Sequence, residues 1–219
     1  MFGGVALIPE KDTMKKFIAL REKYDEHFIS PPLGIESNLP HMTIFQSYFD
    51  DDIDYHYVLS SLSQRSEYVK NLKIQYVGYV PQGWIFSYIN NNESLQRLHN
   101  DSFMSLRDHI AHDEVPREID FTGFNESEKQ YHLTYGYKYL FEQYSPHITL
   151  GVSCDDYMNT LNSILHSFGY PTLSNSYDVY QTFTYSPDSN FATLIDVQSI
   201  GFTLYTFGSI WLFVASLIL

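Results

Sequence analysis

Cysteine and basic residues are the two residue types that this sequence has little of. Cys154 is the single cysteine, which excludes an intramolecular disulfide and is expected to pack as a small apolar side chain. Lys and Arg number 13 against 26 Asp and Glu, a formal net charge of -13. This charge repels phosphate backbones and anionic lipid surfaces, so neither a long nucleic acid nor a membrane is an expected partner. A single small phosphate still fits, because a few local donors can hold it.

The chain also lacks a recognisable targeting signal. The first residues, MFGGVALIPEKD, have neither the basic segment nor the long apolar run of a signal peptide. With one cysteine, this favours a cytoplasmic protein, and we expect a monomer. No residue from 197 to 219 is charged, which leaves a C-terminal membrane anchor as an alternative. Glycine, serine and threonine interrupt that stretch, so a strand pair is the preferred interpretation.

Apolar and aromatic residues are abundant. Hydrophobic residues make up 44% of the 219 residues, with 19 Tyr and 16 Phe, enough for a large packed core. Periodicity predicts a strand at 3–9, a helix at 12–28 capped by Asp12 or Thr13, a strand at 41–49 and a helix at 52–69. Strands at 72–80 and 84–89 and a helix at 92–110 follow, then a surface loop at 113–130. The second half predicts a strand at 147–153, a helix at 155–168 and strands near 178–185, 192–200, 203–207 and 209–213.

Two short segments, LPHMTIF at 39–45 and SPHITLG at 145–151, repeat one pattern. Side chains at i and i+2 share one face of a strand, so His41 and Thr43 share a face, as do His147 and Thr149. The apolar residues between them face a core. Each segment therefore offers an imidazole and a hydroxyl to a cleft, and each begins with a proline, which a strand tolerates as its first residue.

Two facing histidines suit phosphoester cleavage. A neutral imidazole accepts a proton from the nucleophile, and a protonated one supplies a proton to the leaving oxygen. An unperturbed pKa of about 6.5 makes both forms available near neutral pH, and a coupled pair titrates together. The threonine hydroxyls can donate hydrogen bonds to the phosphate oxygens.

The HMTI and HITL segments, with their matching prolines, resemble the paired motifs of the 2H phosphoesterases, the family that includes cyclic phosphodiesterases and 2',5' RNA ligase-like proteins. The resemblance implies one α+β domain over residues 1–219. In that domain two pseudo-twofold lobes exchange strands, and their antiparallel sheets line a central groove with helices outside. It also implies cleavage of 2',3'-cyclic or 2',5'-linked phosphates, including cyclic oligonucleotides, without metal or cofactor. His41, Thr43, His147 and Thr149 would be the catalytic residues.

Three further residues are candidates for substrate contacts. Alternation places Phe45 on the face of Thr43, where its ring offers a stacking surface for a base. Gly151 holds the matching place in the second copy and leaves room for a ligand. Tyr144 can also stack, as can Trp84 and Tyr88, although core packing is the simpler role for aromatic residues.

Two other patterns have ordinary structural explanations. His132 and Thr134, in YHLTYGY, repeat the motif spacing without the proline and are assigned to a helix or to the surface. His109, His112 and Asp113 have helical spacing that metal ligands sometimes use, but no third motif completes a ligand set, so a solvated helix end is preferred.

The sequence leaves the substrate open, and two alternative functions remain. One is a non-catalytic module that binds a nucleotide or an RNA end. The other is a tail-anchored membrane protein in which the two motifs are incidental.

Overall fold

The computed structural model describes residues 1–9, 11–35, 38–65, 73–81, 84–89, 91–152 and 194–205. Cys154, the predicted helix at 155–168, and the predicted strands near 178–185 and 209–213 lie outside the described residues.

Six strands and four α-helices make up the described regular structure. The strands are β1 (Phe2–Pro9), β2 (Met42–Tyr48), β3 (Lys73–Pro81), β4 (Trp84–Ile89), β5 (His147–Val152) and β6 (Leu194–Tyr205). The helices are α1 (Lys11–Lys23), α2 (Tyr55–Arg65), α3 (Glu93–Leu106) and α4 (Glu126–Tyr135). Short 3-10 turns follow α1 at Asp25–His27 and α3 at Arg107–His109, and a third lies at Phe141–Gln143. Every described strand and α-helix falls where periodicity predicted one except α4, which begins inside the expected loop. β6 runs as one strand through two segments that were predicted separately.

All strand pairings are antiparallel, and the sheet closes on itself in the order β1, β2, β5, β4, β3, β6. The two strands that carry the repeated motifs, β2 and β5, are therefore neighbours. β1 lies on the far side of β2, and β4 lies on the far side of β5. The two-lobed arrangement that the family resemblance implies stays a prediction.

Helix α3 packs against β2 and forms the centre of the core. Its stripe of Leu95, Leu98, Phe103 and Leu106 is at most 3% exposed, which is the amphipathic face expected from the sequence. The side chain of Asn92 accepts a hydrogen bond from the backbone N–H of Leu95 and caps the first turn. The helix thus buries the inner face of the motif strand and fixes its position.

Helix α4 contains His132 and Thr134, which have the same spacing as the histidine and threonine of the two motifs. It begins with a capping box in which Asn125 and Glu128 bond each other's backbone N–H groups, and it ends at Gly136, whose φ of 71° is left-handed. His132 lies on this helix with Nε2 3.0 Å from the carbonyl oxygen of Pro116. The assignment of His132 to a helix is confirmed. Among the described residues, no helix is both long enough and apolar enough to cross a membrane.

Candidate functional site

The four motif residues lie on one face of the sheet. Met42 of β2 pairs with Ile148 of β5, and both side chains are 1% exposed. Cross-strand partners share a face of the sheet, and successive residues along a strand alternate between faces. The residues before and after Met42 and Ile148 therefore lie on the face opposite to these two buried side chains. The antiparallel direction places His41 next to Thr149 and Thr43 next to His147. All four side chains are partly exposed.

Both histidine rings are anchored in the same way. Nδ1 of His41 lies 2.7 Å from the carbonyl oxygen of Leu39, and Nδ1 of His147 lies 2.7 Å from that of Ser145. Each acceptor precedes the motif proline. A carbonyl oxygen can only accept, so each neutral ring carries its proton on Nδ1, and Nε2 is the basic nitrogen. The two rings are thus held in one tautomer by the same local contact.

Protein atoms surround both imidazoles closely. Desolvation is the largest cause that lowers the pKa of His41 below 6.5, and it is also the largest that lowers the pKa of His147, to about 4. Hydrogen bonds to the backbone oppose the shift in both rings. The charges of His41 and Lys138 lower the pKa of His147 further. The rings therefore interact electrostatically in a recess that still admits solvent.

Each motif is followed by a β-bulge. Ala6 and Val5, neighbours on β1, pair with Thr43 and Phe45, so Ile44 is the extra residue on β2. Since neighbours on β1 face opposite ways, Thr43 and Phe45 do too. The expectation that Phe45 shares the face of Thr43 is therefore wrong.

The side chain of Phe45 is fully buried. Its ring packs edge to face on those of Phe49, Phe103 and Tyr137 at 5.5–6.0 Å. It is a core residue and offers no surface on which a base could stack.

The second strand repeats the bulge one residue after Thr149. Phe86 and Ile85 of β4 pair with Thr149 and Gly151, so Gly151 also faces away from the site. A Cβ on Gly151 would clash with Oγ of Ser30. The space expected for a ligand is thus filled by protein, and this prediction is corrected as well. Residues 41–46 and 147–152 nevertheless share one burial pattern, so the repeat in sequence is also a repeat in structure.

Tyr144 has a structural role beside the site. It is 5% exposed, and its ring stacks on that of His99 at 4.1 Å with an interplanar angle of 10°. Its hydroxyl donates to the carbonyl oxygen of Thr43 at 3.3 Å. The packing role considered for Tyr144 is what the structure shows, so its ring is not a stacking surface for substrate.

His99 connects the two motif segments. Nδ1 lies 2.6 Å from the carbonyl oxygen of Ile44, the bulge residue, and Nε2 accepts from the backbone N–H of Phe141 at 3.1 Å. The turn at Phe141–Gln143 leads directly into the second motif. His99 is fully buried, and desolvation lowers its pKa to about 4. The neutral side chain of His99 thus links, through two hydrogen bonds, the first motif strand to the turn that precedes the second motif.

Three residues that the sequence did not single out lie around His147. The ring of Phe86 is 4.2 Å from the imidazole, and that of Tyr139 is 5.7 Å away in an edge-to-face arrangement. The ammonium of Lys138 lies 4.7 Å from the ring of Tyr139. Phe86 could have been found from the alternation of β4. Tyr88 and Trp84, which were considered instead, pair in the sheet with His147 and Val152.

The possible metal ligands are separate from this site. His109 ends a 3-10 turn, and Nδ1 of His112 lies 2.9 Å from the carbonyl oxygen of Thr134. All three residues, His109, His112 and Asp113, are exposed. In the part of the chain that the structure describes, no group of three or more potential ligands is arranged to hold a metal ion.

Comparison with known proteins gives one partial similarity. No protein-family model matches the chain. A segment of 72 residues is 42% identical to NADH-ubiquinone oxidoreductase chain 6 of Mycosarcoma maydis. The match covers 32% of this chain, and it spans only 29% of the length of that protein.

Proposed function

We propose that the protein is a phosphodiesterase of the 2H type that cleaves a 2',3'-cyclic phosphate, or a 2',5'-linked or cyclic oligonucleotide, by paired-histidine catalysis. The observation that carries the proposal is the matched pair of imidazoles on one sheet face, each with Nδ1 bonded to a backbone carbonyl. This contact directs the chemistry to Nε2 of both rings. A general acid and a general base are the two groups that hydrolysis of a phosphodiester requires.

The electrostatics favour a division of roles. The charge of Lys138 lowers the pKa of His147 and is not a cause that acts on His41, so we assign the proton of a singly protonated pair to His41. His147 then accepts a proton from water as the water oxygen bonds to phosphorus. His41 gives its proton to the ester oxygen as the bond from phosphorus to that oxygen breaks. The product is a phosphomonoester, and the proton returns to His41 through solvent.

The threonines fit a supporting role. Thr43 and Thr149 share the face of the histidines, and each hydroxyl can donate to a non-bridging phosphate oxygen, where charge builds up in the transition state. This use of the chain's own donors needs no metal, and we propose metal-independent turnover on that chemistry.

The proposed substrate is small. A net charge of -13 opposes binding of a long polyanion, whereas a nucleotide or an oligonucleotide end presents one phosphate to the site. The repeated bulges and burial patterns of β2 and β5 support a two-lobed, pseudo-twofold α+β fold. We further propose a monomer that works in the cytoplasm.

A substrate panel tests the proposal. The full chain is assayed with 2',3'-cyclic mononucleotides, 2',5'-oligoadenylate and cyclic dinucleotides, with and without chelator. Turnover that survives chelation and is lost in both His41→Ala and His147→Ala is expected. His132→Ala, which removes the imitating motif's histidine, is the matched control and should leave turnover unchanged. Turnover that depends on His132, or that zinc or magnesium restores after chelation, would overturn the proposal.

Two alternatives rest on other features. A non-catalytic nucleotide-binding module would bind members of the panel without converting them. A tail anchor would be formed by the uncharged residues 197–219, although residues up to Tyr205 belong to strand β6 of the sheet. Membrane partition of the full chain, compared with a chain that ends at Thr206, separates this case: partition of the full chain alone would favour the anchor.

A further inference from the structure

A positive charge stands beside the candidate site in an otherwise acidic protein. Lys138 is nine positions before His147 and reaches the site through the turn after α4. Its ammonium lies 4.2 Å from the ring centroid of Phe124 and 4.7 Å from that of Tyr139. Tyr139 in turn packs its ring 5.7 Å from the imidazole of His147. The two aromatic rings thus hold the ammonium on the side of the site nearest His147.

No carboxylate of the described residues forms an ion pair with this ammonium. Within the described ranges, no Asp or Glu oxygen lies within 4 Å of it, whereas such ion pairs are present elsewhere, as at Lys15 and Asp12. Glu128 is the acidic residue whose charge acts on Lys138. Its carboxylate, however, accepts the backbone N–H of Asn125 at 2.8 Å as part of the helix cap. An anion entering the site would thus meet a cation that no carboxylate in the described part of the chain pairs with.

Partial burial of the ammonium costs solvation free energy, which a bound anion would offset. Lys138 is partly buried, and desolvation lowers its pKa. Aromatic faces compensate a cation only in part. A phosphate oxygen would supply a charge-assisted hydrogen bond that no carboxylate among residues 1–152 and 194–205, as far as these are described, gives the ammonium.

We infer that Lys138 binds the phosphate of the substrate beside the histidine pair and provides the local positive charge that an acidic chain needs to hold an anion. The inference rests on the proposed function for the identity of the ligand, a nucleotide phosphate. Phe124 and Tyr139 are positioning residues, since they hold the ammonium rather than touch the phosphate.

Binding of adenosine 2'-monophosphate, measured by calorimetry on the full chain, tests the inference without using turnover. Loss of one charge-assisted hydrogen bond predicts that Lys138→Gln weakens binding about 10- to 100-fold. Lys138→Arg keeps the charge and should retain most of the affinity. Lys129→Gln is the matched control. Lys129 is exposed and also lies over an aromatic ring, at 5.4 Å from Phe121, and its removal should leave binding unchanged.

A second measurement reports on proximity alone. NMR titration of the imidazole of His147 should show its pKa rising in Lys138→Gln, because a neighbouring positive charge has been removed, and unchanged in Lys129→Gln. Binding of wild-type strength by Lys138→Gln, equal losses in both glutamine variants, an unmoved His147 titration, or no binding by the wild type would overturn the inference.

The two proposals can fail separately. Absence of turnover on the whole panel, together with phosphate binding that depends on Lys138, would reject the phosphodiesterase and keep the anion site. Turnover that depends on both histidines, together with phosphate binding that does not depend on Lys138, would keep the phosphodiesterase and reject the anion site.

Discussion

His99 should make the stability of the protein depend on pH. Its imidazole is fully buried, with Nδ1 bonded to Ile44 and Nε2 accepting from Phe141. A second proton would have to displace the Phe141 N–H. The folded pKa is therefore about 4, against about 6.5 in an unfolded chain. Between these values the unfolded state binds more protons, so the contribution is fully present above pH 6.5 and is lost as pH falls towards 4.

The magnitude follows from the two pKa values. At one pKa unit per 1.36 kcal/mol, the full shift corresponds to roughly 3 kcal/mol, of which about 2 kcal/mol would be lost between pH 7.5 and pH 5.0. His41 and His147 have pKa shifts of the same sign. We therefore place the test in a His41→Ala, His147→Ala background, where their contribution is absent.

Urea denaturation at pH 7.5 and pH 5.0 gives the free energy of unfolding at each pH. Adding His99→Gln should reduce the loss between the two pH values by about 2 kcal/mol, because glutamine does not titrate. The loss of stability at pH 7.5 in that variant does not enter the comparison. His112→Gln, which removes an exposed imidazole, is the control. An equal pH dependence with and without His99 would refute the reasoning, since it would mean that the buried ring takes up its proton without cost.

Three further predictions concern the two motif strands. Replacing either His41 or His147 by Ala should lower kcat about 10²- to 10⁴-fold, and the double variant should be little worse than the worse single variant. Additive losses from the two histidine replacements would indicate separate sites. Thr43→Ser and Thr149→Ser should keep more activity than Thr43→Ala and Thr149→Ala. The acid-side inflection of kcat/KM should fall below pH 6.5, because desolvation lowers the pKa of both histidines; an inflection at or above pH 6.5 would contradict this. Gly151→Ala should destabilise the fold by about 1–3 kcal/mol, since φ is 152° and the new Cβ would clash; an unchanged urea midpoint would show that the neighbouring loop yields.

Alternation along a strand predicted the shared face of the side chains correctly up to the threonine of each motif and failed immediately after it. His41 and Thr43 share a face because nothing interrupts the pleat between them. Phe45 and Gly151 do not follow, because a bulge inserts one residue into each strand. A bulge is defined by the register with a neighbouring strand, which periodicity within one strand does not contain. Both corrections therefore have one cause.

The positive charge of Lys138 beside the site was not predicted from the sequence, for a different reason. No basic residue adjoins either motif in sequence. Lys138 follows Gly136, whose left-handed φ of 71° ends α4, and its charge acts on His147. The position of that ammonium depends on the packing of Phe124 and Tyr139. Local sequence patterns predict the strands, but they do not predict which distant side chains the loops bring to them.

The matched prolines have a physical role that extends beyond marking a repeat. Proline fixes its own φ and restricts the preceding residue to extended conformations. The carbonyl of that preceding residue, Leu39 or Ser145, is the acceptor for Nδ1 of the following histidine. The restriction therefore holds the acceptor in place before any substrate binds and selects the same tautomer twice. Two rings with the same nitrogen presented and with charges that interact take distinct roles as acid and base only if their surroundings differ. Lys138 near His147 is such a difference, so in a nearly symmetric site this one cation is what would give the reaction its direction.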